Sequence, residues 1–105
     1  MNDQPVLLDE PAPQVARLLL NRPDKRNAID HGVREALTQA LEVLQGKSRI
    51  RALVIGGAGG FFSAGGDTPS MVGLTQAQAR ERMRHIHRLC RAVAGLRIPV
   101  VTAIE

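Results

Sequence analysis

Residues 56–67, near the middle of the chain, hold the residue types and spacing most able to do chemistry. Six of these twelve residues are glycine, and they follow an apolar run at 52–55 that predicts a buried strand. Glycine has no Cβ, so such a loop can approach a ligand closely and expose bare backbone N–H groups. Donors of that kind stabilise negative charge that develops on a carbonyl oxygen. A surface turn with no ligand is the alternative interpretation of the same composition.

The glycine segment does not match the common phosphate-binding patterns. The dinucleotide fingerprint needs a third glycine where Phe62 stands, counted from Gly57. The P-loop needs a lysine after its last glycine, but Gly65 is followed by Gly66 and Asp67. Both nucleotide-binding interpretations therefore fail on spacing.

Three segments, in this order along the chain, resemble the crotonase (enoyl-CoA hydratase/isomerase) superfamily. They read Leu-Asn-Arg-Pro-Asp-Lys-Arg-Asn-Ala-Ile at 20–29, Phe-Ser-Ala-Gly-Gly-Asp at 62–67 and Ile-Pro-Val-Val-Thr-Ala-Ile-Glu at 98–105. The resemblance covers nearly the whole chain. It implies an α/β fold, the N-terminal portion of a crotonase-like ββα spiral that stops after a strand. Residues 1–105 would then form the N-terminal part of a single acyl-CoA-binding domain.

For the loop, the resemblance implies a binding site for the thioester. The backbone N–H of Gly66 would donate to the thioester carbonyl and is the one catalytic group expected here. Ala64 would face the CoA adenine through its backbone, next to Gly65, and Asp67 would orient the loop rather than transfer a proton. Pro69 departs from the usual family pattern, so the resemblance predicts neither the shape of the acyl-pocket wall nor the identity of the acyl substrate.

The segment before the first helix is expected to contact CoA itself. By the resemblance, Lys25 and Arg26 would lie near the CoA phosphates, and the backbone around Ala28 would line the pantetheine path. Two adjacent cations suit a polyanionic ligand. A solvated loop is the alternative for this cationic pair.

The expected activity is that of an enzyme acting on acyl-CoA thioesters. Enoyl-CoA hydration is the first expectation and double-bond isomerisation the second, with CoA as part of the substrate and no separate cofactor. The second oxyanion donor and the acid–base carboxylates are expected beyond Glu105, which is itself read as structural. The alternative is a truncated, non-catalytic fragment that at most binds CoA or serves assembly.

The apolar periodicity places these motifs on alternating strands and helices. Asp30 is a plausible N-cap and Gly46 a stop for the first helix, while Thr75 and Gln78 form a capping box for the second. Strands alternating with helices predict parallel pairing. The expected elements are a hairpin of strands at 6–8 and 15–20, a helix at 31–45, a strand at 51–55, a helix from 76 to about 94 and a strand at 99–104.

Composition narrows the class of protein further. The net charge is +4 with two phenylalanines and no other aromatic residue, so bases of a single-stranded nucleic acid have no stacking platform. No apolar run is long enough to span a membrane, and the N-terminus lacks a signal-peptide pattern. We therefore expect a cytoplasmic protein, with a homotrimer or hexamer implied by the resemblance.

The remaining candidate side chains are expected to be structural. His85 and His87 fall on different helix faces, so no metal site is expected. Cys90 lies on the predicted apolar face of the second helix and is expected to be buried. A solvated face is the first interpretation of the arginine stripe, a subunit contact the second and an RNA contact the third. That stripe comprises Arg80, Arg84, Arg88 and Arg91.

Overall fold

The computed structural model describes residues 4–66 and 72–104, which form a four-stranded sheet with two helices. A short 3₁₀ turn at Pro23–Lys25 precedes α1, and a second, at Ala58–Gly60, lies within the glycine segment. The elements in chain order are β1 (Val6–Ala12), β2 (Val15–Leu20), α1 (His31–Gln45), β3 (Ala52–Gly57), α2 (Gln76–Ala94) and β4 (Val100–Thr102).

The strands lie in the order β1-β2-β3-β4. The β1/β2 hairpin is antiparallel, whereas β2/β3 and β3/β4 pair in parallel, with Leu18 opposite Ile55 and Ile55 opposite Thr102. The predicted α/β class with parallel pairing is confirmed. β1 is longer than predicted and runs through Pro11, at an irregularity in the register between Asp9 and Ala12. An edge strand tolerates proline because its outer side needs no ladder donor.

The core lies between one face of the sheet and α1. Along β2 every second residue is buried, which is the period-2 pattern of a strand with one covered face. Leu41 of α1 meets the sheet residues Leu18 and Leu53 in this core, and all three are fully buried. Asp30 caps α1 by accepting the Val33 N–H at 2.9 Å, as predicted, and Gly46 is its C-cap.

Helix α2 begins with the predicted capping box, since Thr75 and Gln78 exchange both hydrogen bonds. Its packed face differs from the expected one. The stripe that contacts α1 and the core includes His85, Leu89 and Ala92. It lies one position away from the apolar stripe that the sequence predicts, which comprises Ala79, Met83, Ile86, Cys90 and Val93. Cys90 is consequently exposed, and the expectation that it is buried is wrong.

The arginine stripe of α2 is not uniformly solvated, because its members have different partners. Arg88 reaches across to α1, where it binds Glu42 at 2.7 Å and Glu35 at 3.3 Å. Arg84 pairs within its own helix with Glu81. Within residues 4–66 and 72–104, neither helix is long and apolar enough to cross a membrane.

Candidate functional site

Asn27 holds the cationic segment and the glycine segment together. Only 1% of its surface is exposed. Its amide Nδ2 donates to the carbonyl oxygens of Ala58 and Phe61 at 2.9 and 2.8 Å, and its Oδ1 accepts the Arg22 N–H at 2.7 Å. Its φ of 55° is left-handed, a conformation that asparagine tolerates better than most residues. One buried side chain thus satisfies three backbone groups on two segments.

Gly57, the last residue of β3, lets these loops approach each other. A Cβ at this position would overlap the carbonyl oxygens of Phe61 and Phe62 and would lie 2.7 Å from Asn27 Nδ2. Only glycine fits where the backbone turns back against itself so closely. The glycine here therefore serves folding rather than ligand contact.

The downstream part of the loop is fixed by pairing with residues 26–29. Ala64 donates its N–H to the Arg26 carbonyl at 2.9 Å, and Ile29 donates its N–H to the Gly65 carbonyl at 2.8 Å. The Ser63 hydroxyl donates to the Asn27 carbonyl at 2.8 Å and accepts the Gly65 N–H at 3.0 Å. The loop is thus an ordered extension of the fold, held by backbone bonds.

Gly66 forms a parallel bridge with Ile29, and that bridge leaves its N–H unused. Ile29 bonds the carbonyl of Gly65, the residue before its bridge partner. In the part of the chain that the structure describes, no acceptor binds the Gly66 N–H, and the residue is exposed. Gly65 has a φ of 93°, which only glycine adopts without strain, and so sets the direction of the next peptide.

Lys25 and Arg26 are both exposed, at the end of the first 3₁₀ turn. Arg26 has a left-handed φ of 52°, and its guanidinium carbon lies 5.7 Å from the centre of the Phe61 ring. That stacking contact tethers Arg26 to the loop while its charge stays in solvent. The structure therefore brings one of the two cations directly to the glycine segment.

Ala28 lies deeper than its neighbours. Its side chain is buried, its N–H donates to the Lys25 carbonyl at 3.0 Å, and its carbonyl accepts from Arg22 Nη1 at 3.0 Å. Arg22 also lies 3.2 Å from Asp30, the cap of α1. Ala28 therefore shapes the segment with both backbone groups engaged.

The structure brings together Lys25, Arg26, Ala28, Ala64, Gly65 and Gly66 around one pair of hydrogen-bonded segments. Asp67 lies outside the described residues, as do Thr68, Pro69 and Glu105. Sequence reasoning missed Asn27, although an asparagine between a cationic turn and a helix cap is a signal for left-handed backbone. It also missed the contact of His31 with His85, whose ring centres are 4.7 Å apart.

Comparison with known proteins agrees with the motifs and the fold. Residues 10–105 match the family model described as enoyl-CoA hydratase/isomerase. A probable enoyl-CoA hydratase of Mycobacterium leprae is 34% identical over 95% of this chain, which covers 36% of that relative. A putative enoyl-CoA hydratase of Thermus thermophilus is 36% identical over 87% of this chain and 37% of its own length.

Solved structures agree as well. A probable enoyl-CoA hydratase/isomerase from Mycobacterium abscessus superposes with a TM-score of 0.81 at 36% identity, over 95% of this chain and 38% of that one. An enoyl-CoA hydratase from Bacillus anthracis gives a TM-score of 0.87 at 28% identity, over 96% of this chain and 40% of that one. The chain thus spans less than half the length of these relatives and corresponds to the N-terminal portion of the crotonase fold. It belongs to the enoyl-CoA hydratase/isomerase family, the crotonase family that its three motifs resemble.

Proposed function

We propose that this chain carries the acyl-CoA-binding half of an enzyme that stabilises enolate-like charge on a thioester, with the Gly66 N–H as one oxyanion donor. The observation that carries the proposal is the exposure of that N–H and its lack of a hydrogen-bond acceptor among the described residues, 4–66 and 72–104. The carbonyl beside it is fixed by Ile29. A donor held in place before substrate arrives needs no reorganisation during the reaction.

The chemistry follows from where the charge develops. A hydrogen bond from Gly66 polarises the thioester carbonyl and stabilises negative charge on its oxygen. In an α,β-unsaturated thioester this charge permits addition of water at the β-carbon, giving a 3-hydroxyacyl product. The same charge permits migration of the double bond when a proton leaves one carbon and returns at another. Hydration is our first assignment and isomerisation the second.

The cationic turn supplies the handle for the rest of the substrate. Lys25 and Arg26 are exposed, and Arg26 contacts the loop through the Phe61 ring, as a site for the phosphates of a CoA thioester requires. Ala64 and Gly65 lie between this turn and Gly66, so the CoA moiety would run along residues 25–28 toward the donor. Asp67 is assigned to orientation of the loop, as the resemblance implies. CoA enters and leaves as part of the substrate.

Turnover needs more than this half. A carboxylate within hydrogen-bonding reach must transfer the proton, and a second donor must complete the oxyanion hole. We place these groups in the full-length enzyme, outside the residues described here, together with assembly into a homotrimer or hexamer. The competing proposal is a chain that binds CoA or contributes to assembly without catalysis.

Two substitutions at one position test the donor in the full-length enzyme. Gly66→Pro deletes the N–H, whereas Gly66→Ala keeps it. We expect kcat for hydration of a short enoyl-CoA, followed by loss of the conjugated absorbance, to fall by on the order of 10²–10³ in Gly66→Pro only. CoA affinity, measured by calorimetry, should stay close to that of the parent. Unchanged turnover in Gly66→Pro would refute the donor assignment, and CoA binding without any turnover by the parent would favour the competing proposal.

A further inference from the structure

A cavity of about 210 Å³ lies between the N-terminal turns of α1 and α2. It is lined by His31 and Arg34 of α1, by Gln78, Glu81, Arg82 and His85 of α2, and by the apolar Leu74. A single water takes about 30 Å³ of liquid volume, so the cavity has room for a small ligand. The lining thus carries two guanidinium groups and one carboxylate, together with two imidazoles, one amide and a largely apolar surface.

Among the described residues that line this cavity, Arg34 is the most deeply buried cation. Only 4% of its surface is exposed. Within residues 4–66 and 72–104, its guanidinium makes no hydrogen bond or ion pair, although buried charges are ordinarily paired. Burial and the nearby charge of Arg82 lower the pKa of Arg34, while Asp30 acts in the opposite direction. The charge of Arg34 is therefore incompletely compensated.

Arg82 shows the same deficit from the other helix. Its Nε is buried and has no hydrogen-bond partner among the described residues. A buried donor without a partner costs free energy, because it has lost its hydrogen bond to water and gains no other in return. The buried Nε donor of Arg82 and the unpaired guanidinium of Arg34 therefore lie at the same cavity.

The carboxylates near the cavity are already engaged. Asp30 pairs with Arg22 and accepts the Val33 N–H. Glu81 pairs with Arg84 and lies 3.2 Å from His85 Nε2. The cations Arg34 and Arg82 are therefore in excess, and an anion would balance them.

The histidines of the same cavity raise the opposite interpretation, a metal cation. His31, Glu35 and His85 each place a ligand atom within 4.8 Å of the others. Glu35, however, also binds Arg88 at 3.3 Å. A cation held there would face the positive charges of Arg34, Arg82 and Arg88, so the local charge favours an anion.

We propose that the cavity between α1 and α2 binds a small oxyanion, a carboxylate or a phosphate, through the guanidinium groups of Arg34 and Arg82. Planar guanidinium groups match the geometry of both anions and bind them through paired hydrogen bonds. The apolar contact with Leu74 suits a carboxylate that carries a short carbon chain. This site does not depend on the thioester site proposed above.

The test is thermal unfolding of the purified full-length protein, treated with a chelator, in sodium phosphate or sodium succinate against sodium chloride of equal ionic strength. Binding to the folded state alone should raise the Tm, by on the order of 5 °C at an anion concentration tenfold above Kd. The stronger of the two anions identifies the class of ligand. Equal Tm values in all three salts would overturn the proposal.

Variants locate the effect. Arg82→Met and Arg34→Met should abolish the anion-dependent rise, and Arg82→Met should be at least as stable as the parent without anion, because it removes repulsion and a buried unpaired donor. Arg80→Met, an exposed arginine of the same helix outside this cavity, should keep the full response. A rise that survives both cavity variants would show binding elsewhere.

Two further outcomes would replace the anion with another occupant. If Asp67 supplies the acceptor, the parent would show no response and Asp67→Asn would gain one. If the cavity is a metal site, Zn²⁺ added to the chelator-free chain would raise the Tm, His31→Ala would cancel that rise, and phosphate and succinate would have no effect. Either result would contradict the proposal.

Discussion

The glycine loop and the α1–α2 interface are held together by different kinds of interaction. The loop is held by backbone groups and by one buried amide, Asn27, with no charged side chain in its hydrogen bonds to residues 58 and 61. The interface is held by contacts of partly exposed polar side chains, among them the ion pair of Arg88 with Glu42 and the contact of His85 with Glu35. Buried bonds to backbone are costly to lose, whereas exposed ion pairs are weak and screened by salt.

The difference implies a rigid donor site beside an adjustable helix pair. Positions that fix the loop should tolerate almost no change, and their effects should not depend on salt. Positions at the interface should give small effects that vary with pH and ionic strength. The loop variants below should thus lose far more stability than the interface variant.

Gly57→Ala should give the largest loss. The added Cβ would overlap two backbone carbonyl oxygens, which cannot move aside as a flexible side chain could. We expect a loss of about 4 kcal/mol in the free energy of unfolding, or failure to fold, measured by urea denaturation. Gly32→Ala is the matched control, because its Cβ would make only an ordinary van der Waals contact with the carboxylate of Asp30. That control should be neutral or stabilising by about 0.5–1 kcal/mol. A Gly57→Ala chain as stable as the control would refute the close approach.

Asn27 should come next. Asn27→Gly keeps the left-handed backbone accessible but removes the amide, leaving the Ala58 and Phe61 carbonyls and the Arg22 N–H without their partner. We expect a loss on the order of 3 kcal/mol by urea denaturation, unchanged by added salt. Asn27→Ala should lose about 1 kcal/mol more, since alanine is also strained at this φ. Equal losses for the two variants would show that the φ contributes nothing.

The two regions also differ in how far the sequence predicts them. The glycine loop and the helix starts on either side of it follow from local signals, because a cap at Asp30, a capping box at Thr75 and a run of glycines each act within a few residues. The parallel order of the strands follows from their alternation with helices. Local signals are thus enough to identify the loop and to predict most of the strands and helices that position it.

The interface depends on the rotation of α2, which local periodicity does not fix. The apolar stripe that includes Met83 predicted one packed face, yet Met83 is 45% exposed and the adjacent stripe contacts α1. The reason is that Arg88 and Gln45 form cross-helix bonds that an apolar pattern does not record. The same rotation brings His85 to His31 and Arg82 to Arg34, pairs that are 54 and 48 positions apart, so no spacing rule could find them.

The smallest expected effect lies in that interface, at the ion pair of Arg88 with Glu42. The hydrogen bonds from Arg88 lower the pKa of Glu42 below its ordinary value. A carboxyl whose pKa is lowered by folding stabilises the folded state above its unfolded pKa. That contribution disappears as the pH falls through the lower, folded pKa. The stability of the chain should therefore decline in this acid range partly through Glu42.

Arg88→Met tests this contribution directly. The pKa of Glu42, followed by NMR titration of its carboxyl carbon, should rise toward the ordinary value in the variant, and high salt should produce part of the same rise in the parent. Glu10 is the internal control, since Arg49 lowers its pKa at the hairpin, far from the substitution. A Glu42 pKa that stays low without Arg88 would mean that the interface is fixed by something other than its charges. The claim that charged side chains hold the α1–α2 interface, in contrast to the backbone bonds of the glycine loop, would then be wrong.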